Sequence, residues 1–270
     1  ISENECRDLI NDANKYLNIN SEKDIISNNR QMIISTSIIY NDLLKYSKNW
    51  VNLNEKINST EFYRDCLKNL HLESSQFELN NFFFKKKLSS IEKKYKHLIN
   101  KKFSYLKTKT LFKLLLFRIY NEIKFKIMFL FKTKINLELL FDFSISQKGY
   151  KREIHRDSDS RTIVFLIYLN ELQKNGSGGE LNLFKYNKDN DNIPSQPHAK
   201  DCTLIESIPP KTGRLVTFLN SHDSLHSVSK MENYSELRHF LYGSFTLLGK
   251  KNSFLKNNIG NLKTNFNIFE

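Results

Sequence analysis

His155-Arg156-Asp157 sets an imidazole and a carboxylate two residues apart, just after a candidate strand and before the turn residues SDS. In extended chain, residues i and i+2 point to the same side, so both groups can converge on one point while Arg156 turns away. A second imidazole, His226, lies in SLHSV after the apolar run GRLVTFL, and Arg238 opens the run RHFLYGSFTLL. Two imidazoles and one carboxylate on one face of a metal leave the opposite face open, the arrangement associated with non-haem iron(II) oxygenases. An isolated HxD is a weak signal. Joined to a later histidine after an apolar strand and an arginine on the next strand, it becomes a specific one. His222, four residues before His226, offers a rival pair at helical spacing for zinc, but no HExxH accompanies it and the flanking pattern is strand and loop. His71, His97 and His198 stand outside any motif, and His239 points to the face of its strand opposite Arg238. GSGG at 176–179 reads as a turn before a strand rather than a phosphate loop, since neither a helix nor GK[ST] follows.

These residues sit in a strand-rich second half. From Leu137 onward the chain runs through LELLFDFSIS, RTIVFLIYLN, GELNLFKY, CTLIESI, GRLVTFL, HSVSKM and RHFLYGSFTLL, separated by turn-forming pieces such as NKDNDN and PPKTG. Strands without intervening helices imply an antiparallel sandwich or rolled barrel. The first half reads helical. Ser2 and Glu5 form a capping box for ENECRDLINDANKYL, and further helices are expected over Leu43–Trp50 and Thr60–Leu70. Ser89–Phe131 has no Gly or Pro and carries apolar residues at three-to-four spacing, as helices packing on a sheet would, or a membrane-surface or partner-binding helix. The expected organisation is therefore a helical part at 1–135 packing on the core, a catalytic β core at 136–250, and a polar tail at 251–270.

Composition narrows the setting. A hydrophobic fraction of 39% and an aromatic fraction of 13% argue against wholesale disorder. The formal charge of +13 would suit nucleic acid or an anionic membrane. Lys, Asn, Ile and Phe dominate throughout, however, so the charge reads as base composition and a solvated surface, and nucleic acid is not the expected partner. Three cysteines without CxxC spacing fit a reducing compartment. No signal peptide is visible in ISENECRDLI, and the charges within Thr110–Phe131 exclude a transmembrane span. A cytoplasmic protein is expected.

The segment Gly149–Leu248 resembles the 2-oxoglutarate and iron(II)-dependent dioxygenase superfamily, in its prolyl-4-hydroxylase-like branch. The matching pieces are IHRDSDSRTIVFLIYLN, GGEL, PKTGRLVTF, SLHSVSK and LRHFLYGSF, and the opening ISENECRDLINDA resembles the helix that begins such domains. The resemblance implies a mainly β fold, a double-stranded β-helix (jelly roll) core flanked by α-helices. It implies iron(II) on His155, Asp157 and His226, with Arg238 and Tyr168 binding the far carboxylate of 2-oxoglutarate and Arg161 near where some relatives contact substrate. Dioxygen is the co-substrate and ascorbate a candidate stimulant. The implied reaction is hydroxylation of a peptidyl proline or a small molecule, with 2-oxoglutarate converted to succinate and carbon dioxide. Because Asp157 occupies a position that halogenating relatives usually leave without a carboxylate, hydroxylation is favoured. A non-catalytic binding module of the same fold and a nucleic-acid demethylase are the alternatives. The chain departs from the pattern at Ser146, where relatives often carry tyrosine, and at Phe240, where many carry a small residue.

Overall fold

The structure, a computed structural model, describes residues 1–17, 29–70, 77–79, 135–172, 176–188, 193–247 and 266–269. The helices expected over Ser89–Phe131, and His71 and His97, lie outside the described residues.

Helix α1 (Glu3–Leu17) begins at the anticipated capping box: the Ser2 amide donates to Glu5 Oε2 at 2.7 Å and the Glu5 amide to Ser2 Oγ at 3.3 Å. The helix expected over Leu43–Trp50 is instead two, α2 (Ile38–Tyr46) and α3 (Lys48–Ile57). Ser47 divides them. Its amide closes α2 on the Leu43 carbonyl while its hydroxyl accepts from the Trp50 amide, and such a cap contributes about 1 kcal/mol. Helix α4 (Thr60–Asn69) starts the same way from Ser59.

The strands are β1 (Arg30–Ile34), β2 (Phe77–Leu79), β3 (Ile135–Ser146), β4 (Arg152–His155), β5 (Arg161–Tyr168), β6 (Leu181–Tyr186), β7 (Cys202–Ile208), β8 (Leu215–Leu219), β9 (Leu225–Val228), β10 (Arg238–Leu247) and β11 (Phe266–Phe269). Among the described residues they form two sheets, a seven-stranded one in the order β1-β3-β10-β5-β8-β11, with β2 alongside β3, and a four-stranded one in the order β4-β9-β6-β7. All pairings are antiparallel except β2–β3. The fold is thus mainly β with N-terminal helices: the two layers of an open jelly roll, as expected. Strand β1 comes from the stretch read as helical, and β11 from the stretch read as a polar tail.

The central strand β5 of the large sheet is buried on both faces, which explains why it is a nearly unbroken apolar run. Ile163, Phe165 and Ile167 turn toward the helices, joining Leu9, Trp50 and Leu67 in one core. Trp50 meets Phe143 at 4.7 Å, Phe62 meets Phe165 at 5.3 Å and Tyr40 meets Phe141 at 5.6 Å between ring centroids. The alternate residues Val164, Leu166 and Tyr168 pack with Leu181, Leu183 and Ile208 of the small sheet. Each large apolar side chain buried this way contributes roughly 1.5–3 kcal/mol. Gly243 is required where β10 crosses this core, since a Cβ there would lie 2.2 Å from the Phe165 ring.

His239 lies on the helix-facing side of β10, buried and stacked on Phe143 at 6.1 Å. Among the described residues neither ring nitrogen has a hydrogen-bond partner, and burial pushes its pKa down to about 4. The unfolded chain therefore takes up a proton near pH 6.5 that the folded chain resists down to about 4. Stability from this residue is whole above about pH 6.5 and is lost as pH falls toward 4, by roughly 3 kcal/mol in total. His239→Phe should flatten that part of the stability profile, measured by urea unfolding of both proteins from pH 7 to pH 4. An unchanged slope would refute the assignment.

Candidate metal centre and anion pocket

The β4–β9 pairing sets His155 directly opposite His226, with ring centroids 4.5 Å apart. Asp157 follows two residues after His155. Its Oδ1 lies 4.0 Å from His155 Nε2 and its Oδ2 lies 3.7 Å from His226 Nε2. One ligand atom from each of the three falls within 4.8 Å of the others. All three are largely removed from solvent, with side-chain exposures of 12% for His155 and 6% for Asp157 and His226.

The rings are held in a metal-ready state by their own strands. His155 Nδ1 lies 2.8 Å from the Glu153 carbonyl oxygen, and His226 Nδ1 lies 2.9 Å from that of Ser224. A carbonyl can only accept, so each Nδ1 carries a proton, which leaves each Nε2 as the nitrogen able to bind a metal at the shared point. Burial, aided by the neighbouring His226, pushes His155 down to about 4, which keeps the ring neutral at ordinary pH. Asp157 is fixed from two sides, by Arg161 Nη1 donating to Oδ1 at 3.0 Å and Tyr242 OH donating to Oδ2 at 2.6 Å. Burial would raise this carboxyl, but His226, Arg161 and Tyr242 outweigh it and hold the pKa below the usual value. Burial, reinforced by Asp157, raises Tyr242 well above the ordinary phenol range, so it remains a donor.

The other expected residues separate as the strand pattern anticipates. Arg156 points away, donating to the His222 carbonyl at 3.3 Å and pairing with Asp159 at 3.0 Å. His222 is not among the grouped ligand residues. Ser146 donates to Met231 Sδ at 3.6 Å.

Arg238 is 0% exposed, and among the described residues none of its three guanidinium nitrogens has a hydrogen-bond partner. It lies over the rings of Phe240 at 4.7 Å and Tyr168 at 5.1 Å. The Tyr168 hydroxyl, also 0% exposed, faces Arg238 and has no other partner among the described residues. A buried cation beside an unused hydroxyl suits a carboxylate, which the flat guanidinium can grip through two bonds. Arg238 shares a cavity of about 300 Å³ with His155, Asp157 and His226.

Sequence reasoning named Arg161 and Phe240 of this wall but missed several neighbours. Tyr242 was legible: it is four residues beyond Arg238 on the same strand and so faces the same way. Arg30, Asp142, Ser144 and Tyr150 were not. Arg30 reaches from β1 into the cavity lining, pairs with Asp142 at 3.0 Å, donates to Ser144 Oγ at 2.9 and 2.7 Å and to Tyr150 OH at 3.4 Å, and lies over Phe240 at 5.1 Å.

Leaving a cation buried without a partner costs stability. Arg238→Met should therefore make the ligand-free chain more stable by about 1–4 kcal/mol, read from urea midpoints. A variant less stable than wild type would mean that Arg238 is satisfied in the free protein.

Residues 141–242 match the family model described as the 2OG-Fe(II) oxygenase superfamily, so the resemblance read from the sequence is borne out over that segment. No curated protein matches the chain. Similar solved structures include a Pseudomonas putida prolyl-4-hydroxylase, at 25% identity and TM-score 0.28, covering 41% of this chain and 52% of that one. A Trichoplax adhaerens prolyl hydroxylase, in complex with a hypoxia inducible factor peptide fragment, is 18% identical with TM-score 0.29, covering 42% of this chain and 46% of that one. A prolyl 4-hydroxylase from Phytophthora capsici is 18% identical with TM-score 0.26, covering 45% of this chain and 40% of that one. The chain thus spans about half, or less, of each of these relatives.

Proposed function

We propose that residues 141–242, the segment similar to the 2OG-Fe(II) oxygenase superfamily, form the core of a non-haem iron(II), 2-oxoglutarate-dependent dioxygenase that hydroxylates its substrate. The observation that carries this reading is the conjunction, in one cavity, of two imidazoles, a carboxylate and a buried guanidinium without a hydrogen-bond partner among the described residues. The donor set suits iron(II), since imidazole and carboxylate are ligands of intermediate hardness and three of them leave room for further ligands. The orphaned Arg238 and Tyr168 suit a co-substrate bearing a second, remote carboxylate.

His155 and His226 would hold the metal through Nε2, and Asp157 through a carboxylate oxygen. Tyr242 and Arg161 would orient Asp157 by hydrogen bonds, which raises the precision of the site. Arg238 would fix 2-oxoglutarate in one orientation, with the Tyr168 hydroxyl as a second donor. When bound, iron(II), 2-oxoglutarate and dioxygen supply the oxidising chemistry, 2-oxoglutarate leaving as succinate and carbon dioxide; the chain supplies placement and excludes water. A peptidyl proline is one substrate consistent with the relatives, and a small molecule is the other.

Among the described residues no helix is long and apolar enough to cross a membrane.

Two measurements test the reading. His226→Ala should lose most iron(II) affinity, and wild-type affinity in that variant would refute the metal site. Arg238→Ala should keep iron(II) yet bind 2-oxoglutarate roughly 30-fold to several-thousand-fold more weakly, as expected from losing about 2–5 kcal/mol. Arg238→Lys should recover only part, because an ammonium cannot reproduce the two-pronged contact. Binding is followed by the charge-transfer absorption of anaerobic iron-loaded protein. Unchanged binding in Arg238→Ala would refute the co-substrate role.

A further inference from the structure

Strand β4 carries one residue more than its partner between two paired positions. Arg152 is opposite Val228 and His155 is opposite His226, so three steps on β4 are matched by two on β9. In a regular strand, residues three apart face opposite sides; an inserted residue turns them to the same side. Arg152 accordingly lines the cavity that holds His155, Asp157 and His226, where unbroken pleating would have turned it away. It also lines an adjoining open groove of about 660 Å³, which His155 shares. Arg152 therefore stands where the enclosed site meets the surface.

The charges of the cavity point the same way. Each lining aspartate is already engaged, Asp142 with Arg30 and Asp157 with Arg161, both at 3.0 Å. Arg152 has no ion-pair partner among the described residues. Four arginines (Arg30, Arg152, Arg161 and Arg238) face two aspartates, an excess of two positive charges. On the reading proposed above, the charges of iron(II) and of 2-oxoglutarate cancel, so that excess persists in the loaded site. Arg238 holds its share in the buried interior, where screening is weak, and Arg152 holds its share at the exposed mouth.

We propose that the substrate carries a carboxylate, and that Arg152, aimed by the β4 bulge, is the residue that binds it beside His155. The inference rests on the metal and co-substrate reading, and it names a specificity that reading leaves open. A guanidinium matches a carboxylate in shape as well as charge. A neutral substrate would leave the excess charge uncompensated.

The test uses the full chain loaded with manganese(II) and 2-oxoglutarate without oxygen, occupancy of both being measured separately by the manganese spin-resonance signal and by dialysis of labelled 2-oxoglutarate. The probes are pivalate and pivalamide, equal in shape and different in charge, each giving one proton signal whose relaxation manganese accelerates at close range. Pivalate should show a saturable enhancement and pivalamide should not. Arg152→Gln should weaken pivalate saturation by roughly tenfold or more, whereas Lys185→Gln, which removes one positive charge elsewhere on the surface, should leave it unchanged. Equal enhancement for both probes, no saturation for pivalate, or an Arg152→Gln protein indistinguishable from wild type would overturn the carboxylate subsite while leaving the metal reading intact. An equal loss in Lys185→Gln would overturn it as well, by tracing the attraction to overall charge. Failure of manganese or 2-oxoglutarate to bind would overturn the metal reading and this inference together.

Discussion

The register between β4 and β9 is the constraint on which the rest of the structure depends. Side chains alternate along a strand, so sliding β4 by a single residue would turn His155 out of the cavity and bring Ile154 or Arg156 in its place. The register is held by packing further away: Leu181 and Leu183 of β6, next to β9, are locked against Val164 and Leu166 of the large sheet. The bonds that orient each buried imidazole go to the carbonyl two residues before it, Glu153 within β4 and Ser224 just ahead of β9. Ring orientation is therefore inherited from the strands, and a correct register brings a correct pair of rings with it.

The second feature is a balance between stability and readiness. The inner surface of the large sheet sets Arg238, Phe240 and Tyr242 of β10 opposite Ser146, Ser144 and Asp142 of β3. Most polar groups there are satisfied within the row, Asp142 by Arg30 and Ser144, Tyr242 by Asp157. Arg238 is the exception. A fold that met every need from within would have nothing left for a ligand, and an unmet guanidinium held between two rings is preorganised, since no side-chain ordering is needed when a partner arrives.

Much of this was legible in the chain. β7 spans Cys202–Ile208 and α1 spans Glu3–Leu17, as the residue pattern indicates, because each is bounded by strong local signals. The convergence of His155 and Asp157 was legible because extended chain converts a spacing of two into a shared direction. Ser47 was missed, since the apolar pattern continues across it and a serine in a helix is unremarkable until its hydroxyl is seen capping the next one. β1 was missed for a deeper reason. RQMII is half exposed and too short to show alternation, and it becomes a strand only because β3 offers an edge over a hundred residues later. Non-local pairing leaves no local signature, and Arg30 was hidden with it.

That late-joining strand has a consequence for how such a protein can change over time. The segment shared with the oxygenase superfamily contains all three ligand atoms and Arg238, yet Arg30, a part of the cavity wall, arrives on β1 from outside it. The three grouped side chains and part of the wall that a visiting molecule meets are thus encoded in separate stretches of the gene. Drift in the first hundred residues can therefore reshape the wall without touching His155, Asp157 or His226.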